Sequence, residues 1–150
     1  MHNLSLILSR SSTGIDAPLI TVETHLGNGL PSFSIVGLPE KAVQESRERV
    51  RAAIVNANFE FPARRITVNL APADLPKEGS RFDLPIAIGI LAASGQIEPQ
   101  ALEQHEFIGE LALSGELRPV RGALPAALAA ARSGPSPVSY THLTLPTTSP

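Results

Sequence analysis

The run VNLAPADLPKEGSRFDLP, residues 68–85, gathers most of the side chains in this sequence that could do chemistry: Asp74, Lys77, Glu78, Ser80, Arg81 and Asp83. A serine hydroxyl attacks only when a neighbouring group takes its proton, so Ser80 with Lys77 three residues earlier is the candidate nucleophile and base. The run also lies between an alternating apolar segment and a helix start, a place where binding groups are often mounted on a rigid scaffold. Free backbone amides at that helix start would favour an anion. The competing reading is a rigid turn in which the prolines fix the path, Gly79 supplies a permissive backbone and the charges are solvated.

Other chemistries lack their residues. Lys41 and Lys77 are the only lysines and neither follows a glycine, so the GxxxxGK[ST] phosphate loop is missing, as are GxGxxG and HExxH. The chain alone is therefore not expected to hydrolyse ATP. There is no cysteine, which removes disulfides, thiolate metal sites and thiol nucleophiles. His2, His25, His105 and His142 are too scattered to suggest a metal site.

Arg47, Arg49, Arg51, Arg64 and Arg65 invite a nucleic-acid-binding reading. Against it, Glu45 precedes Arg49 by four residues and Glu48 precedes Arg51 by three, spacings that favour intrahelical pairs on a solvated face. No aromatic residue interleaves with these arginines as a single-strand stacking platform would require. The surface charges chosen as contacts are Asp74, Lys77, Glu78, Arg81, Arg47 and Arg51.

Residues 1–10 read as a strand. Ile20, Val22 and Thr24 alternate against Thr21, Glu23 and His25 as in a strand with one wet face. Gly27, Asn28 and Gly29 predict a hairpin-like turn into a short strand over 33–36. Pro39 suits the start of a helix over 40–56, with Val43, Val50, Ala53 and Ile54 on one face. Ile66, Val68 and Leu70 point inward from a strand over 64–70. Asp83 is placed to cap the amides of a helix ending near Ser94, with Pro85 in its first turn. A strand over 106–113, a turn at Gly115, an extended piece over 117–120 and a helix over 124–132 complete the pattern. These interleaved elements predict an α+β fold with a mixed sheet backed by helices.

The 150 residues, 43% hydrophobic and 17% charged, suffice for one core. A formal charge of −2 supplies no global field for nucleic acid or membrane, so any such contact must be local. No apolar run approaches the roughly 20 residues of a membrane helix, and no signal peptide is evident. A reducing, cytoplasmic setting fits. From Gly134 onward Ser, Thr and Pro dominate, and composition predicts a disordered tail over 133–150. The string VSYTHLTLPTT resembles the translation of a transposon-end sequencing adapter, which implies that the residues after Arg132 are not native. Tyr140 and His142 accordingly carry no functional weight.

Three long motifs, PSFSIVGLPEKAVQESRERVRAA, FEFPARRITVNLAPADLPKEGSRFDLPIAIGILAASGQI and FIGELALSGELRPVRGALPAALAA, together resemble the N-terminal region of the YifB/ComM family of magnesium-chelatase-like AAA+ ATPases. The likeness extends over roughly 9–132. It implies a ribosomal protein S5 domain 2-like fold for residues 1–132, shared with the proteolytic domain of Lon. It also implies a hexameric parent that takes ATP and Mg²⁺ in a separate AAA+ module, with ComM members acting as DNA helicases in natural transformation. The Lon relation supplies the rival expectation of a degenerate Ser/Lys peptidase. Laid on the PKDGPSAG-like loop of Lon, PKEGSRFD puts Arg81 at the nucleophile position, and Leu124 falls where the basic lysine would be. Ser80 lies one residue early, where the family pattern usually has glycine. The resemblance thus implies a non-catalytic accessory domain that contacts a AAA+ ring.

Overall fold

A computed structural model describes residues 3–11, 16–77 and 79–119, together with the backbone of Val138 and Ser139. Strand β1 (Leu4–Arg10) runs antiparallel to β2 (Leu19–Gly27), pairing Leu4 with His25 and Arg10 with Leu19. In β2 the alternation works as predicted, because Ile20, Val22, Thr24 and Leu26 all face the core. Strand β3 (Ser32–Val36) does not fold back on β2. Instead β4 (Arg65–Ala71) lies between them, antiparallel to β2 and parallel to β3. The expected hairpin at Gly27 is therefore corrected: the turn carries the chain from β2 to a strand that is not its neighbour, and helix α1 (Glu40–Asn56) makes the long crossover from β3 to its parallel partner β4.

The sheet order is β3-β4-β2-β1-β5, with β5 (Glu106–Phe107) parallel to β1 and the two-residue β8 (Val138–Ser139) parallel to β5. The single strand expected over 106–113 is two strands in two sheets. After β5 the chain leaves the main sheet, and β6 (Glu110–Leu111) forms a small hairpin with β7 (Leu117–Arg118), turning at Gly115 as predicted. The helix expected over 124–132 and the tail side chains, Tyr140 and His142 included, lie outside the described residues.

Helix α2 (Asp83–Ala93) is buried at every position. Its sequence DLPIAIGILAA has no polar face, so every side needs apolar cover. Strands β1 and β2 lie against one side, α1 against another, and the β6 segment closes a third. The sheet approaches so closely that a Cβ built on Gly89 would sit 2.6 Å from the Thr24 hydroxyl oxygen. The Ser5 hydroxyl donates to the Gly89 carbonyl at 2.7 Å across the same contact. At the far end of β1, Arg10 makes a buried two-point ion pair with Glu106, with Nε donating at 2.7 Å and Nη2 at 3.0 Å. This clamps β1 to β5. The arrangement is α+β, a mixed sheet backed by two helices, consistent with the S5 domain 2-like fold. No helix among the described residues is long and apolar enough to cross a membrane.

The Gly89 contact has a measurable consequence. Gly89→Val must push α2 off the sheet and is expected to cost about 3 kcal/mol, the upper end for overpacking a core. A urea titration reads this directly, and an unchanged midpoint would contradict the close approach.

Candidate functional site

The loop from β4 to α2 leaves the sheet at Ala71 and returns to α2 with most of its polar groups already engaged. Lys77, expected on the surface, is only 5% exposed. Its ammonium donates to the carbonyl of Pro72 and, at 2.9 Å, to that of Leu75. Among the described residues the Pro72 carbonyl otherwise receives only the Leu75 amide at 3.5 Å, and the lysine turns inward to donate to both loop carbonyls. Arg81, also expected to be exposed, is 3% exposed, and burial pushes its guanidinium pKa down. Its carbonyl accepts the Gly109 amide at 2.8 Å, tying the loop to the segment between β5 and β6. Asp74 is exposed as expected, and Glu78 lies outside the described residues. Gly79 takes φ +80°, a left-handed conformation that other residues rarely adopt.

Asp83 does not cap α2, because it is the first helical residue and is turned into the core with 1% of its side chain exposed. Arg49 Nε donates to Asp83 Oδ2 at 2.6 Å and Nη2 to Oδ1 at 3.2 Å. The Ser46 hydroxyl donates to Oδ1 at 2.8 Å and the Leu111 amide to Oδ2 at 3.2 Å. One carboxylate thus joins α1, α2 and β6. Burial pushes the Asp83 carboxyl up, against the downward pull of Arg49, Ser46 and the Leu111 amide. Burial also draws Arg49 down, but the hydrogen bonds and charge of Asp83 outweigh it and leave the guanidinium raised. The intrahelical pair expected between Glu45 and Arg49 is present only at 4.0 Å, because Arg49 is committed to Asp83.

Beside this junction is an open cleft of about 460 Å³, lined by Lys41, Glu45, Arg49, Gly79, Ser80 and Glu110. The Ser80 hydroxyl donates to Glu110 Oε1, and Glu110 Oε2 lies 3.8 Å from Arg118 Nε. Ser80 and Lys77 are therefore engaged with different partners. The Ser/Lys chemistry needs the amine beside the hydroxyl to take its proton, whereas Lys77 is held by carbonyls and Ser80 meets a carboxylate already shared with a guanidinium. Glu110 was not singled out by any motif, since its role comes from the chain leaving the main sheet after β5.

The second pair expected on α1, Glu48 with Arg51, is also replaced. Arg51 places its guanidinium carbon 4.5 Å from the centroid of Phe61 and 5.9 Å from that of Phe33. Arg47 Nη1 donates to the Phe33 carbonyl at 2.9 Å. Aromatic rings absent between the arginines in sequence are thus supplied in space by β3 and by the segment before β4.

No group of three or more His, Asp or Glu side chains that could hold a metal occurs among the described residues.

The family model for subunit ChlI of Mg-chelatase matches residues 22–140. This chain belongs to that family. It is 63% identical over 131 residues to competence protein ComM of Haemophilus influenzae, covering 87% of this chain and 26% of the relative. It is 55% identical over 132 residues to YifB of Escherichia coli, covering 88% of this chain and 26% of that protein. A Mycobacterium tuberculosis relative, Rv2897c, is 46% identical over 121 residues, 81% of this chain and 24% of its own length. The chain spans about a quarter of the length of these curated relatives.

The three-element junction predicts that Asp83→Ala, which leaves Arg49, Ser46 and the Leu111 amide without their shared acceptor, costs about 3–5 kcal/mol. Chemical denaturation measures it. The pH dependence has a definite sign as well. Folded Asp83 holds its proton above the ordinary value of 3.8, so the stability tied to that proton is complete below 3.8 and is lost as pH rises through the folded value. Relative to Asp83→Asn, the native chain should lose stability across that interval.

Proposed function

We propose that this chain is a non-catalytic accessory domain of a AAA+ ATPase, working by contact with an ATPase module of the full-length protein. The observation that carries the reading is the engagement of the loop over 72–83. Lys77 is held by two carbonyls and Ser80 by Glu110, and the resemblance to Lon lays Arg81 on the nucleophile position. Family membership supports an ATPase parent, and ATP with Mg²⁺ is assigned to the module outside this chain. The name of the Haemophilus influenzae relative supports a role in competence, and we assign to the parent a hexameric, ATP-dependent DNA helicase or branch-migration activity in natural transformation, in the cytoplasm.

The cleft beside Ser80 is the contact surface that fits this role. Lys41 and Glu45 stand exposed on α1 at its rim, and Ser80 and Glu110 line its wall. Mixed charge of this kind sets register and partner choice more than raw affinity. Asp74, Arg47 and Arg51 remain available as further contacts, while the interior positions of Lys77 and Arg81 assign those two to loop architecture.

The purified chain incubated with an unfolded protein substrate should release no peptides, and Ser80→Ala should behave like the native chain. Cleavage that disappears in Ser80→Ala would overturn the non-catalytic assignment. In the full-length protein, Lys41→Glu should weaken ATP turnover or ring assembly without altering the thermal midpoint of this domain. Unchanged turnover and assembly would remove the cleft from the contact surface.

A further inference from the structure

The side of the molecule formed by the start of β3, the middle of α1 and the segment before β4 combines exposed positive charge with aromatic rings. Arg51 is exposed, packs over Phe61 and Phe33, and makes no hydrogen bond or ion pair among the described residues. Arg47, one turn earlier on α1, reaches the Phe33 carbonyl with one nitrogen. Arg64 is anchored from the other side, with Nε donating to the Gly27 carbonyl at 3.2 Å and Nη2 to that of Leu26 at 3.2 Å. None of the three is in an ion pair among the described residues, although the exposed carboxylates Glu48 and Glu60 are near in sequence.

Between Arg51 and Arg64, with Arg47 outside its lining one turn along α1, is an open cleft of about 420 Å³ whose walls include Pro31, Val55, Phe61 and Pro62. The rings Phe33 and Phe61 lie 5.5 Å apart in a tilted pair, so Phe61 is braced from behind by the largely buried Phe33. A braced ring and a guanidinium are surfaces on which a flat heterocycle stacks, and uncompensated arginines on either side favour phosphates. An acidic peptide would use the charge and leave the aromatic and proline walls unused. A duplex would present its phosphates but keep its bases inside the stack.

We propose that the Arg51–Phe61 cleft binds single-stranded nucleic acid, taking one base against Arg51 and Phe61 with Arg47 and Arg64 on the flanking phosphates. The assignment rests on the reading of a parent that works on DNA and adds direct contact by this domain. It resolves how a chain of net charge −2 attracts a polyanion, because the charge that matters is local.

The test uses the 150-residue chain and a fluorescent oligothymidylate. Binding should weaken with salt, with a log–log slope of about −1.4 for two phosphate contacts on a single strand. Arg47→Ala and Arg64→Ala should each make that slope shallower by about 0.7. Arg51→Ala should weaken binding about tenfold through lost stacking. The chain contains no tryptophan, so Phe61→Trp creates a single reporter whose fluorescence should be quenched when the oligonucleotide binds. Thermal melts establish that each variant is folded. Absent binding, equal affinity for duplex DNA or polyglutamate, or an unquenched Phe61→Trp that still binds would each overturn the proposal. Such a failure would leave the accessory-domain reading standing, since that is decided by peptide cleavage and by ATP turnover in the full-length protein.

Discussion

A helix with no polar face survives in water only when other elements enclose it, and most of this architecture follows from enclosing α2. Its apolar flanks demand the sheet, α1 and the β6 segment at the same time. Its first residue brings a carboxylate into that enclosure, where an unpaired charge would be costly. Arg49 and Ser46 from α1 and the Leu111 amide from β6 supply the compensation. Packing and charge neutralisation thus impose the same geometry. The loop over 72–83 inherits its shape from that requirement, because it must deliver Asp83 to the junction while Lys77 gathers in its carbonyls.

Two ion pairs among the described residues hold buried charge. Arg10 with Glu106 fastens β1 to β5, and Arg49 with Asp83 fastens α1 to α2. Each replaces solvent around buried charge with a two-point guanidinium contact, a geometry that lysine cannot reproduce. Neither pair is required to raise stability over an apolar substitute. Their value is directional, since the donors and acceptors match in one arrangement of the elements. A wrong register would leave two charges buried without partners.

Local pattern made much of the fold legible. Helix α1 runs over 40–56 as read from its apolar spacing, and Ile66, Val68 and Leu70 face the core as their alternation requires. Pairing partners were less legible, because Gly27 signals a turn but says nothing of a strand that arrives forty residues later to occupy the expected place. The same blindness affected charge. Asp83 before an apolar run is the pattern of a cap, and only the arrival of α1 makes it half of an ion pair. Lys77 and Arg81 looked like solvated loop charges because a turn conformation, invisible in composition, decides which way they face. Arg51 was paired with Glu48 by spacing alone, while its true neighbours Phe33 and Phe61 come from other parts of the chain.

The insertion of β4 between β2 and β3 also has a consequence in time. As the chain emerges from the ribosome, β1 and β2 can pair through local contacts, but β3 has no strand to join until residues 65–71 have been made. Until then one edge of β2 and all of β3 present unpaired backbone, the kind of surface that recruits other chains. Helix α1 is synthesised in that interval, before the strand that completes the core beneath its apolar stripe. The strand order therefore sets a minimum length of nascent chain, reaching past residue 71, before the sheet can close.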